Sequence, residues 1–184
     1  MKIGVYGSAA GILSDVARGK AQAVGREIAK RGHILVTGAS KGFPQEAVLG
    51  AYNEGGTCIG FSAATNLDDH VAEGFPTKGF KQLIYVPKTY EHAKSLLLSK
   101  KYRNISSVAF VDAGIIVGGR TGTLNEFTLL FDFGKKIGVL DQTGGITTRV
   151  LRTIVEDTDK KTNARVIFES DPAELVRKID ALQR

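Results

Sequence analysis

Apolar positions along the chain follow two rhythms. Short apolar runs alternate with longer stretches in which apolar residues return every third or fourth position. Lys2-Ile3-Gly4-Val5-Tyr6-Gly7-Ser8 reads as a first strand that ends in small residues. Ala17, Ala21, Val24 and Ile28 then recur at helical spacing, which predicts an amphipathic helix over 14–30, closed by Arg31-Gly32. A strand over 33–37 leads into Gly38-Ala39-Ser40-Lys41-Gly42, and Pro44 suits the first turn of a helix running to about 53. Gly55-Gly56 ends that helix before a strand over 57–62. Residues 63–81 hold Asp68, Asp69, Gly74, Pro76 and Gly79 with little periodicity, so a long surface loop is expected, a feature that is often functional. A strand over 82–86 follows, then a helix over 90–107 with Lys100, Lys101 and Arg103 on its polar face. Next come an apolar strand over 113–117, a helix over 124–133 and a strand over 137–140. Gly144-Gly145 opens a helix to about 157, and a strand over 165–168 follows. The last helix starts with Asp171 as N-cap, Pro172 in first position and Glu174 completing a capping box. Its buried stripe is Leu175, Val176, Ile179 and Leu182.

Strands that alternate with helices predict an α/β fold. We expect a single Rossmann-like doubly wound domain over 1–184, with a mostly parallel sheet of about seven strands, helices on both faces and right-handed crossovers. In such folds the ligand sits beyond the carboxyl ends of the strands. Those ends carry Gly7-Ser8, Thr37-Gly38, Ser62, Pro87 and Gly118-Gly119, small groups that let a ligand approach the backbone.

Composition narrows the classes. With 184 residues, 42% hydrophobic and 24% charged, the chain suits a soluble globular domain with a sizeable core. No apolar stretch reaches transmembrane length, and Met1-Lys2 runs straight into a strand, so neither a membrane partner nor a signal peptide is expected. The one cysteine, Cys58, excludes an internal disulfide framework and makes a cytoplasmic location the default. The net charge of +6 suits an acidic ligand such as a nucleotide. Its basic residues are scattered rather than clustered, so no nucleic-acid partner is expected.

The chemistry concentrates at Gly118-Gly119-Arg120-Thr121-Gly122-Thr123-Leu124-Asn125-Glu126. A buried strand, a glycine turn and a helix start leave N–H groups at the positive end of a helix dipole, a ready seat for phosphate. Glu126, three residues past Thr123, faces the same way and adds a carboxylate. The same residues also read as a capping box in which Glu126 only satisfies a backbone N–H. Other nucleotide signatures are missing. Gly7-Ser8-Ala9-Ala10-Gly11 lacks the G-x-G-x-x-G spacing, no Asp or Glu follows the second strand where a dinucleotide ribose would need one, and no G-x-x-x-x-G-K-[ST] occurs. His33, His70 and His92 have no ligand-like spacing with Cys58, and Asp68-Asp69-His70 reads as a solvated loop tip, so no metal site is expected.

Arg103-Asn104-Ile105-Ser106-Ser107-Val108-Ala109-Phe110-Val111-Asp112-Ala113, running ungapped into Gly118–Glu126, resembles the Lonely Guy family of phosphoribohydrolases, often labelled lysine decarboxylase-like. That pattern is an arginine, an Asp-Ala nine residues on, then P-G-G-x-G-T-x-x-E. This chain matches at Arg103, Asp112, Ala113, Gly119, Gly122, Thr123 and Glu126. It departs at Asn104, where the pattern has lysine, at Gly118, where it has proline, and at Arg120, where it has glycine. In overall style the chain is similar to the nucleotide-binding branch of the superfamily that includes molybdenum cofactor carrier proteins.

The resemblance implies a 5′-phosphorylated ligand, most simply a nucleoside monophosphate, and a homo-oligomer. In the enzymatic version the N-glycosidic bond is hydrolysed with no cofactor, and Glu126 and Arg103 are the catalytic pair. Gly7, Ser8, Thr37, Gly38, Gly118, Gly119, Arg120, Thr121, Gly122 and Thr123 then line the phosphate and nucleotide site. The alternative is a non-catalytic carrier that holds its phosphorylated ligand in the same pocket.

Overall fold

The computed structural model describes residues 1–11, 13–157 and 162–182. Among these, the strands are β1 (Lys2–Gly7), β2 (Ile34–Thr37), β3 (Cys58–Phe61), β4 (Gln82–Ile84), β5 (Ala113–Val117), β6 (Lys136–Leu140) and β7 (Arg165–Glu169). The helices are α1 (Asp15–Lys30), α2 (Phe43–Asn53), α3 (Leu67–Ala72), α4 (Leu96–Phe110), α5 (Thr121–Asp132), α6 (Val150–Asp157) and α7 (Pro172–Ala181). The strands form one sheet in the order β4-β3-β2-β1-β5-β6-β7, and every neighbouring pair is parallel. The α/β, doubly wound architecture is the one the alternating pattern predicts.

Period-two alternation divides the apolar residues between two cores. Ile3, Val5 and Leu35 face α1, α2 and α7, where they meet Val24, Ile28, Leu175 and Ile179. Tyr6, Val36 and Ile116 face the other way and pack with Val108, Phe127, Leu130 and Leu151 of α4, α5 and α6. β5 lies beside the central β1 and is buried along its whole length, which explains its unbroken apolar run. From β1 the chain winds outward through β2, β3 and β4. It then crosses back by α4 to β5 on the other flank of β1 and winds outward again. β1 and β5 therefore flank the point where the winding reverses, and a crevice opens at their carboxyl ends.

Local signals fixed most element starts. Ser14 caps α1 by accepting from the Ala17 N–H at 3.2 Å. Asp171 caps α7 by accepting from the Glu174 N–H at 2.8 Å, with Pro172 in the first turn. The reciprocal half of that capping box is absent, because the Glu174 carboxylate pairs with Arg177 and Lys178 instead.

Three expectations change. The stretch 63–81 is not all loop: Asn66 accepts from the Asp69 N–H at 2.9 Å and starts α3. His70 is not a solvated tip. It is fully buried, with Nδ1 2.8 Å from the Ser62 hydroxyl and Nε2 3.0 Å from the Pro76 carbonyl. The helix expected over 90–107 begins only at Leu96, because Ser95 caps it there and 90–94 form turns; it continues to Phe110.

Candidate active site

The crevice is built on the ends of β1 and β5. A Cβ on Gly7 would overlap the Val117 carbonyl oxygen, so only glycine lets the two strand ends lie this close. Beyond Val117 the chain turns through Gly118 (φ 58°) and Gly119 (φ 106°), both in the left-handed region. The N–H groups of this pair do not face a ligand. Gly118 donates to Thr143 Oγ1 at 2.8 Å, and Gly119 donates to Ser8 Oγ at 3.0 Å. The Gly119 carbonyl accepts from the Ile146 N–H at 3.1 Å. The glycine turn is therefore a clamped scaffold that aims the helix behind it.

That helix starts earlier than its sequence suggests. α5 begins at Thr121 with Arg120 as N-cap, and no side chain caps it. The capping box expected at Thr123 and Glu126 does not form, because both lie inside the helix, and Glu126 is too far along to reach the N-cap. The N–H groups of Thr121, Gly122 and Thr123 stand in the first turn, where no intrahelical acceptor exists. A Cβ on Gly122 would meet nothing within 4 Å, so open space lies in front of this turn. Uncapped N–H groups at a helix start attract an anion.

The cleft in front of it has a volume of about 210 Å³. Of the residues singled out from the sequence, Gly7, Ser8, Gly38, Arg103, Arg120, Gly122, Thr123 and Glu126 line it. Thr37, Gly118, Gly119 and Thr121 are not part of its lining. Thr37 is buried below, where its Oγ1 accepts from the Ala39 N–H at 3.0 Å and shapes the β2–α2 turn. Sequence reasoning missed Tyr6, Lys100 and Phe75 as lining residues, and treated Asn104 only as a departure from a pattern.

Arg103 is not on a solvated helix face. α4 turns it inward, where its Nη1 donates to the Gly38 carbonyl oxygen, and its Nε is buried with no partner. A Cβ on Gly38 would overlap the guanidinium, which gives a steric reason for glycine there. Burial pushes the pKa of Arg103 down, while Glu126 and Tyr6 oppose the shift. Glu126 is only 7% exposed. Burial raises its carboxyl from the ordinary 4.5 to about 7, against the pull of Arg103 and Lys101. A carboxyl held near neutrality beside a guanidinium is suited to gaining or losing a proton during a reaction.

Tyr6 lines the same space, with its phenol folded back over Gly4. The hydroxyl meets no partner at hydrogen-bond geometry; it lies near the Ser107 hydroxyl, which donates to the Asn104 carbonyl at 3.1 Å and keeps its lone pairs free. Burial raises the phenol above its ordinary range. At the mouth, Arg120 is exposed and reaches toward the β1–α1 turn; a Cβ on Gly11 would lie 4.0 Å from its Nη1. Lys100, Arg103 and Arg120 face one carboxylate, Glu126, so the cleft favours an anion. Among the described residues no group of His, Cys, Asp and Glu is arranged to hold a metal ion.

A model of the SLOG cluster4 family matches residues 1–176. The chain belongs to the SLOG cluster4 family. A relative of this SLOG cluster4 protein is an uncharacterized protein of Archaeoglobus fulgidus, 29% identical over 76% of the chain and 80% of the relative. Its fold is shared with the crystal structure of TM1055, at 20% identity and TM-score 0.81, covering 98% of this chain and 99% of that one. The molybdenum cofactor binding protein of Rippkaea orientalis matches at 22% identity and TM-score 0.74, covering 98% and 95%. A single-stranded-DNA-binding protein, DNA processing protein A of Helicobacter pylori, shares the fold too, at 19% identity and TM-score 0.64, covering 98% and 79%. At these identities the likeness is one of fold. Among the described residues of this SLOG cluster4 chain, no helix is long and apolar enough to cross a membrane.

Proposed function

We propose that the cleft binds a nucleoside 5′-monophosphate or another phosphorylated small molecule, with the phosphate on the first turn of α5 and Arg120 closing over it. One observation carries the reading. Among the described residues, the buried side-chain polar atoms with no partner are Tyr6 Oη, Arg103 Nε and Asn104 Oδ1, and all three residues line this cleft. Folded proteins satisfy nearly all such atoms, so a cluster of exceptions around one cleft supports a polar ligand there. The uncapped start of α5 supports the position of the phosphate.

The pair of Glu126 and Arg103 supports a hydrolytic version. Breaking an N-glycosidic bond builds positive charge on the sugar. Glu126 would stabilise that charge and activate water, and Arg103 would position the substrate or assist the departing base. A carrier that holds the ligand without turnover uses the same contacts, and release of adenine from AMP distinguishes the two. A small molecule, rather than nucleic acid, is the partner this reading names.

Calorimetry with AMP and adenosine tests the phosphate seat. AMP should bind at least about tenfold more tightly, roughly 1.4 kcal/mol. Equal affinities would remove the phosphate from α5. Arg120→Gly, which restores the residue of the family pattern, should weaken AMP by about 1.5–3 kcal/mol and leave adenosine almost unchanged. If the variant binds AMP as well as the parent does, Arg120 is no clamp.

The reading also includes a homo-oligomer. Leu97 and Ile105 on α4 are 70% and 50% exposed, an apolar face that a second copy would cover. Light scattering should therefore give a mass above 19.7 kDa, and a strict monomer would rule the oligomer out.

A further inference from the structure

Two adjacent glycines are the most mobile choice a turn can make. Gly118 and Gly119 lie between β5 and α5, and the aim of the α5 N–H groups depends on how firmly that turn is held. The Lonely Guy pattern has proline in place of Gly118, a ring that stiffens a turn by itself. Proline has no N–H and holds φ near −65°, roughly. It could neither take up the φ of 58° found at Gly118 nor donate the hydrogen bond that Gly118 makes. In this chain the rigidity comes from elsewhere, from the segment 143–147 that follows β6.

Thr143 is the centre of that segment. Its Oγ1 accepts from the Gly118 N–H at 2.8 Å and donates to the carbonyl of Leu140, the last residue of β6, at 2.6 Å. One hydroxyl thus ties the end of β6 to the turn after β5. It can serve both bonds because it donates once and accepts through its lone pairs. Thr147 is fully buried beside it, with Oγ1 3.2 Å from Thr143 Oγ1 and donating to the Gly144 carbonyl at 2.7 Å. A second tie runs from the Ile146 N–H to the Gly119 carbonyl at 3.1 Å. A Cβ on Gly145 would overlap that same carbonyl oxygen, so the segment lies backbone to backbone against the turn.

Thr143 is only 7% exposed and is not part of the cleft lining. Any effect it has on a ligand must travel through the turn. Resting on the phosphate seat proposed above, we infer that Thr143 is a positioning residue for that seat. Its hydroxyl fixes the Gly118-Gly119 turn and so aims the N–H groups of Thr121, Gly122 and Thr123 at one anion. Without it the buried Gly118 N–H loses its acceptor, and the turn regains one only by moving. Small displacements matter, because hydrogen bonds weaken steeply as donors swing off line.

The test is calorimetry with AMP and adenosine on the unmodified protein, Thr143→Val and Thr143→Ser. Valine keeps the shape and loses the hydroxyl; serine keeps the hydroxyl. In Thr143→Val, AMP should bind about tenfold more weakly while adenosine changes by less than about twofold, and Thr143→Ser should restore AMP binding. A Thr143→Val protein with a lower Tm but the parent's preference for AMP overturns the inference, since the hydroxyl then only supports the fold. So does an equal loss of AMP and adenosine affinity, or a serine variant that behaves like valine. Equal affinities in the unmodified protein are a different failure: they remove the phosphate seat itself, and the positioning role with it. A second measurement needs no variant. In NMR spectra of the unmodified protein the Gly118 amide should exchange slowly with or without AMP, while the amides of Thr121, Gly122 and Thr123 shift when AMP binds. A Gly118 amide that exchanges freely without AMP, or that shifts with AMP as strongly as those three, overturns the clamp.

Discussion

Gly25→Ala should destabilise the protein by about 3 kcal/mol and lower its Tm by roughly 6–12 °C. α1 and α2 cross with their backbones in contact. A Cβ on Gly25 would overlap the Ala47 carbonyl oxygen and lie 3.0 Å from the Ala51 amide nitrogen. The opposing Gly50 meets the Gln22 carbonyl oxygen in the same way. Because the obstructing atoms are backbone, no side chain can rotate away, and the helices must separate. Glycine costs a helix interior about 0.5–1 kcal/mol relative to alanine, a gain the substitution would realise but which the clash outweighs. Gly19 provides the control. It lies on the same helix, and a Cβ there would meet nothing within 4 Å. Gly19→Ala should therefore raise stability by about 0.5–1 kcal/mol. Thermal unfolding of both variants decides; a Gly25→Ala protein as stable as the parent would contradict the close crossing. The effect also reaches the cleft. α1 follows the turn at Ser8 and α2 follows the turn at Gly38, and both turns line it.

The fold was legible in the sequence because its elements announce themselves locally. Ser14 and Asp171 mark helix starts through hydrogen bonds between near neighbours, and Pro172 does so through its fixed φ. The apolar run 113–117 could only be a strand buried on both faces. Much of the candidate site was legible for a related reason: a glycine turn before a helix is a contiguous signal. What could not be read depends on distant residues. Gly118 and Gly119 looked like phosphate donors, but Thr143 and Ser8, far away in sequence, consume their N–H groups. Arg103 looked solvated because its neighbours Lys100 and Lys101 are basic, whereas helix phase turns it toward the Gly38 carbonyl. His70 looked exposed after two aspartates, yet Ser62 and Pro76 hold it inside. Tyr6 read as an ordinary strand residue. Its importance lies in a hydroxyl left without a partner, which no sequence pattern records.

These buried polar and charged groups give the cleft its energetic character. Tyr6, Arg103, Asn104 and Glu126 are held where burial opposes their polar or charged atoms, and the well-packed cores on both faces of the sheet carry that cost. Such groups are worth more to a bound ligand than to the empty protein, since the desolvation has already been met on folding. Binding should accordingly stabilise the fold by mass action.

Glu126→Gln separates this functional cost from any structural role, and it carries the largest expected effect on chemistry. With a folded-state pKa of about 7 against an ordinary 4.5, Glu126 keeps a proton in the folded protein at pH values where the unfolded chain has lost it. Stability from this group is therefore fully present below about pH 4.5 and declines as pH rises to about 7, by a total of about 3 kcal/mol. Glutamine has the same shape and no proton to lose, so this decline should vanish from the pH dependence of Tm in the variant. A parent and variant with parallel curves between those pH values would show that the carboxyl is not held near neutrality. Binding of AMP should persist, because the first turn of α5 and Arg120 are untouched. The hydrolytic version adds a sharper demand. Release of adenine from AMP should rise through about pH 7 in the parent as Glu126 ionises, and fall by about 10²–10⁴-fold in Glu126→Gln, the range expected when a general base is lost. Unchanged release in the variant would take Glu126 out of the mechanism. A parent that binds AMP and releases no adenine at any pH, yet shows the stability slope, would instead mark a carrier in which the same buried carboxyl serves only to hold the sugar.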